Sequence, residues 1–187
     1  MIIDPGSDEK SIASFINKKN LNVKIILNTH AHYDHIGSVA FFKDKYSIPF
    51  CLHSKDEKLL NSANLYLKIF EGNDSIKVPK VDYYYDKIDI QNYVTCFSIK
   101  IFFTPGHTYG SVCLLIEDWL FTGDTLLNGK IGRVDLPGGD KQTLSKSLKI
   151  ISTLPNKTII YPGHGKSSTI GNELKYNKKF IQAIQWD

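Results

Sequence analysis

Cysteine, methionine and arginine are all scarce in the 187-residue chain, which holds three cysteines, one methionine and, among 23 basic residues, a single arginine, Arg133. Cys51, Cys96 and Cys113 are odd in number and lack paired spacing. That argues against a disulfide-framed secreted scaffold and reads as small buried thiols. No apolar run approaches the ~18 residues that span a bilayer, and Met1-Ile2-Ile3-Asp4 lacks the basic and apolar regions of a signal peptide. A cytoplasmic location with no membrane partner is therefore expected. The lysines are scattered, and a net charge of +4 without a basic stripe argues against nucleic acid as a partner. No repeat, low-complexity tract or Pro/Gly-rich linker divides the chain. What remains is a chain with 42% hydrophobic and 22% charged residues, close to the globular average and long enough for one well-buried core. A single domain over residues 1–187 is expected.

Apolar patterning alternates between strands and amphipathic helices. Residues 2–3 read as the end of a strand, Asp4-Pro5-Gly6 as a turn, and Ser7 as the cap of a helix carrying Ile12, Phe15, Ile16 and Asn20-Leu21 at helical spacing. A strand over 23–27, a helix over 38–46 and a strand over 49–52 follow. Residues 56–80 are weakly helical, with a break at Gly72-Asn73-Asp74. Runs rich in β-branched and aromatic residues at 81–85, 100–104, 111–116 and 119–122 predict a second sheet, with Tyr83-Tyr84-Tyr85 as strand residues. After a glycine-rich loop, 141–153 reads as a helix with Leu144, Leu148 and Ile151 on one face, 158–161 as a strand and 172–186 as a closing helix. Two groups of strands with helices between and outside suggest a layered α/β sandwich.

The histidines are the informative residues. Thr29-His30-Ala31-His32-Tyr33-Asp34-His35 follows the strand over 23–27 directly, so four metal-capable side chains leave one strand end within six residues. Imidazole and carboxylate are the usual ligands of zinc and related divalent ions, and the H-x-H-x-D-H spacing can aim alternate side chains at two neighbouring positions. Three more candidates stand at later strand ends: His107 in T-P-G-H-T, Asp124 in F-T-G-D-T and His164 in Y-P-G-H-G, each directly after a glycine that permits a sharp turn. Five of the six histidines fall in these segments. The sixth, His53, has no carboxylate or glycine companion and reads as structural.

Taken in order, I-D-P-G at residues 3–6, T-H-A-H-Y-D-H at 29–35, T-P-G-H-T at 104–108, F-T-G-D-T at 121–125, G-R-V-D-L-P-G-G-D at 132–140 and Y-P-G-H-G at 161–165 resemble the metallo-β-lactamase superfamily over nearly the whole chain. Within it, the short hydrolases related to glyoxalase II are the closer match. The resemblance implies a four-layer αββα sandwich holding two divalent ions, zinc first, with iron or manganese as alternatives. His30, His32 and His107 would hold one ion, Asp34, His35 and His164 the other, and Asp124 both. A hydroxide held between the ions would attack the carbonyl carbon of a small acyl thioester such as S-D-lactoylglutathione, with Asp34 orienting the hydroxide.

Substrate contacts are less specific in the sequence. Arg133 keeps the positive charge of a glutathione-binding lysine of the longer glyoxalase II enzymes, and reads either as a clamp for a substrate carboxylate or as a brace paired to Asp135 or Asp140. Tyr33 and Tyr109 flank ligands and read as lining the mouth of the site or as half-buried packing. The C-terminal helical domain of the longer enzymes is expected to be missing, and Asp135 and Lys166 stand where the resemblance leads one to expect tyrosines. Family members usually carry a strand and hairpin before I-D-P-G, so the first N-terminal hairpin is expected to be missing. Two other activities share the fold: a persulfide dioxygenase with one iron on His30, His107 and Asp124, and a lactone or phosphodiester hydrolase. A small-molecule substrate and a monomer or homodimer complete the expectation.

Overall fold

The computed structural model describes residues 1–72 and 75–186, so Asn73 and Asp74 of the expected Gly72-Asn73-Asp74 break lie outside the described residues. The chain divides into two compact units, Met1–Ile88 and Asp89–Asp187.

The first unit is built on four short parallel strands in the order β1 (Ile2–Ile3), β2 (Ile26–Leu27), β3 (Phe50–Leu52) and β4 (Tyr83–Tyr84). Between them run α1 (Glu9–Lys18), α2 (Tyr33–Ile36), α3 (Val39–Tyr46), α4 (Glu57–Asn61) and α5 (Ala63–Glu71). The registers Ile3↔Leu27, Leu27↔Cys51 and Leu52↔Tyr84 align the strand ends, so the segments that follow all four strands leave from one edge. That edge is where open α/β sheets place ligands. The core gathers Ile16, Ile26, Ile36, Phe42, Phe50 and Leu52. The N-cap of α1 is Asp8, whose side chain accepts the Ser11 N–H, rather than the expected Ser7. A carboxylate at this position also complements the positive end of the helix. Phe15 is exposed, while Ala13 and Ile16 form the buried face. The tyrosine strand belongs here and not to the second sheet, because β4 pairs with β3 at Cys51↔Tyr83.

In the second unit a five-stranded sheet has the order β11 (Ser168–Thr169), β10 (Ile159–Pro162), β7 (Trp119–Gly123), β6 (Val112–Ile116) and β5 (Ile99–Phe103). A hairpin of β8 (Leu126–Leu127) and β9 (Lys130–Ile131) turns through Asn128-Gly129, a favoured two-residue turn, with Gly129 at φ +71°. On one face lie α6 (Lys141–Ser152), α7 (Ile170–Tyr176) and α8 (Lys178–Ala183). Leu144, Leu148 and Ile151 are fully buried, as their spacing predicts, and each contributes roughly 1.5–3 kcal/mol of burial. The single closing helix expected over 172–186 is two helices. Asn177, itself buried, ends the first and caps the second, its Oδ1 accepting the Phe180 N–H at 3.1 Å while its amide donates to the Lys130 carbonyl at 2.9 Å and Glu173 at 2.8 Å.

Pairings Phe103↔Val112, Leu114↔Phe121 and Pro162↔Gly123 bring the ends of β5, β7 and β10 to one edge of this sheet. The segments carrying His107, Asp124 and His164 start there. Among the described residues no helix is long and apolar enough to cross a membrane.

Candidate metal centre

In the first unit the candidate ligands are held by a network that begins at Asp4, immediately after β1. Asp4 Oδ1 accepts the Thr29 N–H at 2.7 Å, and its Oδ2 accepts the Thr29 hydroxyl at 2.6 Å and lies 3.0 Å from His35 Nδ1. The second Asp4 oxygen can only accept, so His35 carries its proton on Nδ1 and its lone pair on Nε2. The Thr29 hydroxyl spends its proton on Asp4 and so accepts from His30 Nδ1, 3.0 Å away, which puts the His30 lone pair on Nε2 in the same way. His30 and His35 are buried, their rings 4.1 Å apart between centroids. His30 Nε2 stands 3.0 Å from His32 Nδ1. Asp34 is 40% exposed and places Oδ2 3.8 Å from His35 Nε2. Asp4, His30 and His35 offer ligand atoms within 4.8 Å of one another. With the His30 and His35 Nδ1 atoms turned to Thr29 and Asp4, the Nε2 atoms of both rings are left as donors suited to a divalent cation.

The second unit repeats this logic. His107 Nδ1 lies 2.9 Å from the Arg133 carbonyl, which can only accept, so the lone pair of this buried imidazole is again on Nε2. That nitrogen is 3.7 Å from Asp124 Oδ2, and His164 Nε2 is 3.7 Å from the same oxygen. Two ligands on a common tetrahedral ion stand about 3.4 Å apart, so both spacings suit coordination. Close packing fixes Asp124 here, since a Cβ on Gly132 would lie 2.0 Å from the Asp124 carbonyl oxygen.

A family model, the metallo-β-lactamase superfamily, matches residues 1–164. The chain belongs to that superfamily. Membership makes it a metal-dependent hydrolase with the α/β fold of the family. It is 34% identical over 180 residues to the probable metallo-hydrolase YqgX of Bacillus subtilis, an alignment covering 95% of this chain and 85% of that protein. Against the hydroxyacylglutathione hydrolase GloC of Haemophilus influenzae the identity is 33%, over 94% of this chain and 84% of the other. The solved structure of TTHA1623 in a di-iron-bound form superposes with a TM-score of 0.85 at 33% identity, covering 94% of this chain and 87% of that one.

The other residues singled out in the sequence lie as follows. Arg133 is exposed and forms a two-pronged ion pair with Asp135, Nε to Oδ1 and the terminal nitrogen to Oδ2, both at 2.8 Å. Those hydrogen bonds draw the Asp135 carboxyl down to about 2. Tyr33 is half-buried and donates to Glu71 at 3.1 Å; burial and that bond push its phenol up to about 12. Tyr109 is exposed. His53 is buried, accepts the Lys55 N–H at 3.2 Å, and has its pKa lowered by that burial. Three supporting residues have no role in the sequence reading: Asp4, which reads as part of a turn and of the I-D-P-G motif, Thr29, which enters only as the first residue of its motif, and the fully buried Asp56. Asp4 was accessible in principle, because a carboxylate ending a strand next to a histidine loop is a common partner for a ligand imidazole.

Proposed function

We propose that His30, His32 and His107 hold one divalent ion, that Asp34, His35 and His164 hold a second, that Asp124 serves both, and that the enzyme hydrolyses a small acyl thioester of the S-D-lactoylglutathione kind. The observation that carries the reading is Asp124 Oδ2 equidistant, at 3.7 Å, from His107 and His164, as a ligand shared between two ions requires. The likeness to GloC supports the thioester. When bound, such a pair supplies a hydroxide at neutral pH and positive charge where the oxyanion develops.

The protein's own groups do the rest. Fixed Nδ1–H donors keep the Nε2 lone pairs of His30, His35 and His107 directed outward from their hydrogen-bond partners. Asp34, more exposed than His35 beside it, orients the nucleophile. Tyr33 and Tyr109 line the approach, and Arg133 receives a carboxylate of the substrate. Zinc is the first metal assignment, and the di-iron form of TTHA1623 supports iron as the second.

A substrate carboxylate at Arg133 must displace Asp135. Asp135→Asn should therefore lower KM several-fold for a thioester whose thiol part bears a carboxylate and leave kcat unchanged, and Arg133→Ala should raise KM. Steady-state kinetics on thioesters with and without that carboxylate read the difference; identical KM values in all three proteins would remove Arg133 from the substrate.

The function itself is tested by elemental analysis of protein purified without added metal, alongside S-D-lactoylglutathione hydrolysis in the same preparation. About two ions per chain with turnover is the expected result. Metal without turnover on this or other acyl thioesters overturns the thioesterase. One iron per chain, with oxygen uptake on glutathione persulfide, replaces it with the dioxygenase.

A further inference from the structure

Asp56 is a carboxylate with no exposed surface, at the end of the turn that follows β3. We propose that it is a positioning residue for the His30–His32 pair, a role that rests on the metal-binding reading above. Its Oδ2 accepts the N–H of Ala31 at 3.0 Å, and Ala31, also fully buried, is the one residue between the two histidines. The Ala31 amide belongs to the peptide that joins it to His30, so anchoring this N–H fixes the plane from which both imidazoles depart. Their facing nitrogens, His30 Nε2 and His32 Nδ1, are 3.0 Å apart, a spacing that a rotation of this peptide would open.

The sheet delivers Asp56 to this place. Leu27↔Cys51 registers β2 with β3, so the loops after both strands leave from the same edge. The chain after β3 then folds back in a short turn, with the Asp56 N–H on the His53 carbonyl at 3.0 Å. A buried carboxylate is costly unless backbone donors satisfy it. The Ala31 N–H is such a donor, and an interior position that does no more than cap α4 needs no carboxylate aimed at another segment. Asp56 thus does for the backbone between two ligands what Asp4 does for the ring of His35.

The test compares wild type with Asp56→Ala, Asp56→Asn and Leu60→Ala, the last removing a buried side chain of the neighbouring α4 while keeping the Asp56 carboxylate that accepts the Ala31 N–H. Three quantities are read on the full chain: zinc affinity by chelator competition, amide exchange at Ala31 in the metal-free protein, and thermal midpoint. Asp56→Ala should bind zinc about 10- to 100-fold more weakly and lose protection at Ala31. Asp56→Asn, whose side-chain oxygen can accept the same N–H, should keep both near wild type, and Leu60→Ala should lower the midpoint with affinity intact. Wild-type affinity in Asp56→Ala, equal losses in Asp56→Asn, or equal losses in Leu60→Ala each overturn the proposal. If Asp56→Ala does not fold, exchange of Ala31 in wild type decides: protection at the level of the core strands supports the anchor, and exchange at an exposed-loop rate overturns it. A wild type that binds no zinc overturns the metal-binding reading itself, while protection at Ala31 still reports the hydrogen bond.

Discussion

Asp124→Ala should lower kcat/KM for thioester hydrolysis by about a thousandfold or more and reduce the bound metal below one ion per chain, with the fold retained. The residue lies directly after β7, on a turn whose Gly123 adopts φ +48° and whose backbone is gripped from two sides. The Gly123 carbonyl accepts the Gly163 N–H at 2.8 Å, and Gly132 packs against the Asp124 carbonyl so closely that no side chain fits. None of those contacts uses the carboxylate, so its removal leaves the backbone frame in place. What disappears is the one oxygen that faces both His107 and His164. Asp124→Asn separates charge from shape: it keeps the volume and should still lose most of the activity, because a neutral amide is a poor ligand for a divalent ion. Elemental analysis, circular dichroism and initial rates on the same samples check the prediction. A variant with full metal content and near-wild-type turnover would falsify the shared-ligand reading.

Gly106→Ala should have the largest effect on stability, about 3 kcal/mol or more, and should cost metal binding with it. Gly106 adopts φ +123°, a backbone conformation open in practice to glycine alone. An added Cβ would lie 2.3 Å from the Leu144 backbone nitrogen and 2.5 Å from its Cα. Neither neighbour can yield cheaply, since Leu144 is fully buried in α6 and the start of that helix is bonded to this same loop: the Asp140 N–H donates to the Gly106 carbonyl at 2.9 Å, and the Ser147 hydroxyl donates to the Pro105 carbonyl at 2.6 Å. The helix must shift or the turn must open, and either movement carries His107 with it. Urea unfolding of the metal-free protein measures the loss. A change below about 1 kcal/mol would show that the turn tolerates a side chain.

Much of the candidate site was legible in the sequence because metal chemistry restricts residue types so tightly. Histidine is rare, and neither packing nor turn formation calls for a cluster of it after a strand, or for one directly after a glycine at each of two later strand ends. The helices over 38–46 and 141–153 were legible because their apolar spacing matches the faces they bury, Val39, Ala40 and Phe42 in one case and Leu144, Leu148 and Ile151 in the other. Which sheet a strand joins is a different matter. Tyr83-Tyr84 has strong strand propensity, but propensity says nothing about the partner, and only the parallel pairing with β3 assigns it. The break at Asn177 was hidden because a buried side chain that caps a new helix looks in sequence like any polar residue on a helix surface. Asp56 was hidden for a similar reason. It opens the weakly helical stretch over 56–80, and only the fold reveals that its carboxylate faces inward. The Asn128-Gly129 hairpin reads in the sequence only as part of a glycine-rich loop, because its two strands are two residues each and too short for an alternating pattern.

The Arg133–Asp135 pair has a consequence for how this protein could change. Both side chains are mostly exposed, as is Tyr109, whereas His30, His35 and His107 are buried and their ring nitrogens are tied to Thr29, Asp4 and the Arg133 backbone. His107 depends on the carbonyl of Arg133 and not on its side chain, so any amino acid at that position offers the same acceptor. The backbone and the side chain of Arg133 thus have separate partners, His107 for the carbonyl and Asp135 for the guanidinium. On the proposed reading, substitutions at Arg133, Asp135 and Tyr109 would change which acyl or thiol group is accepted while leaving the hydrogen bonds of the His30, His35 and His107 rings in place.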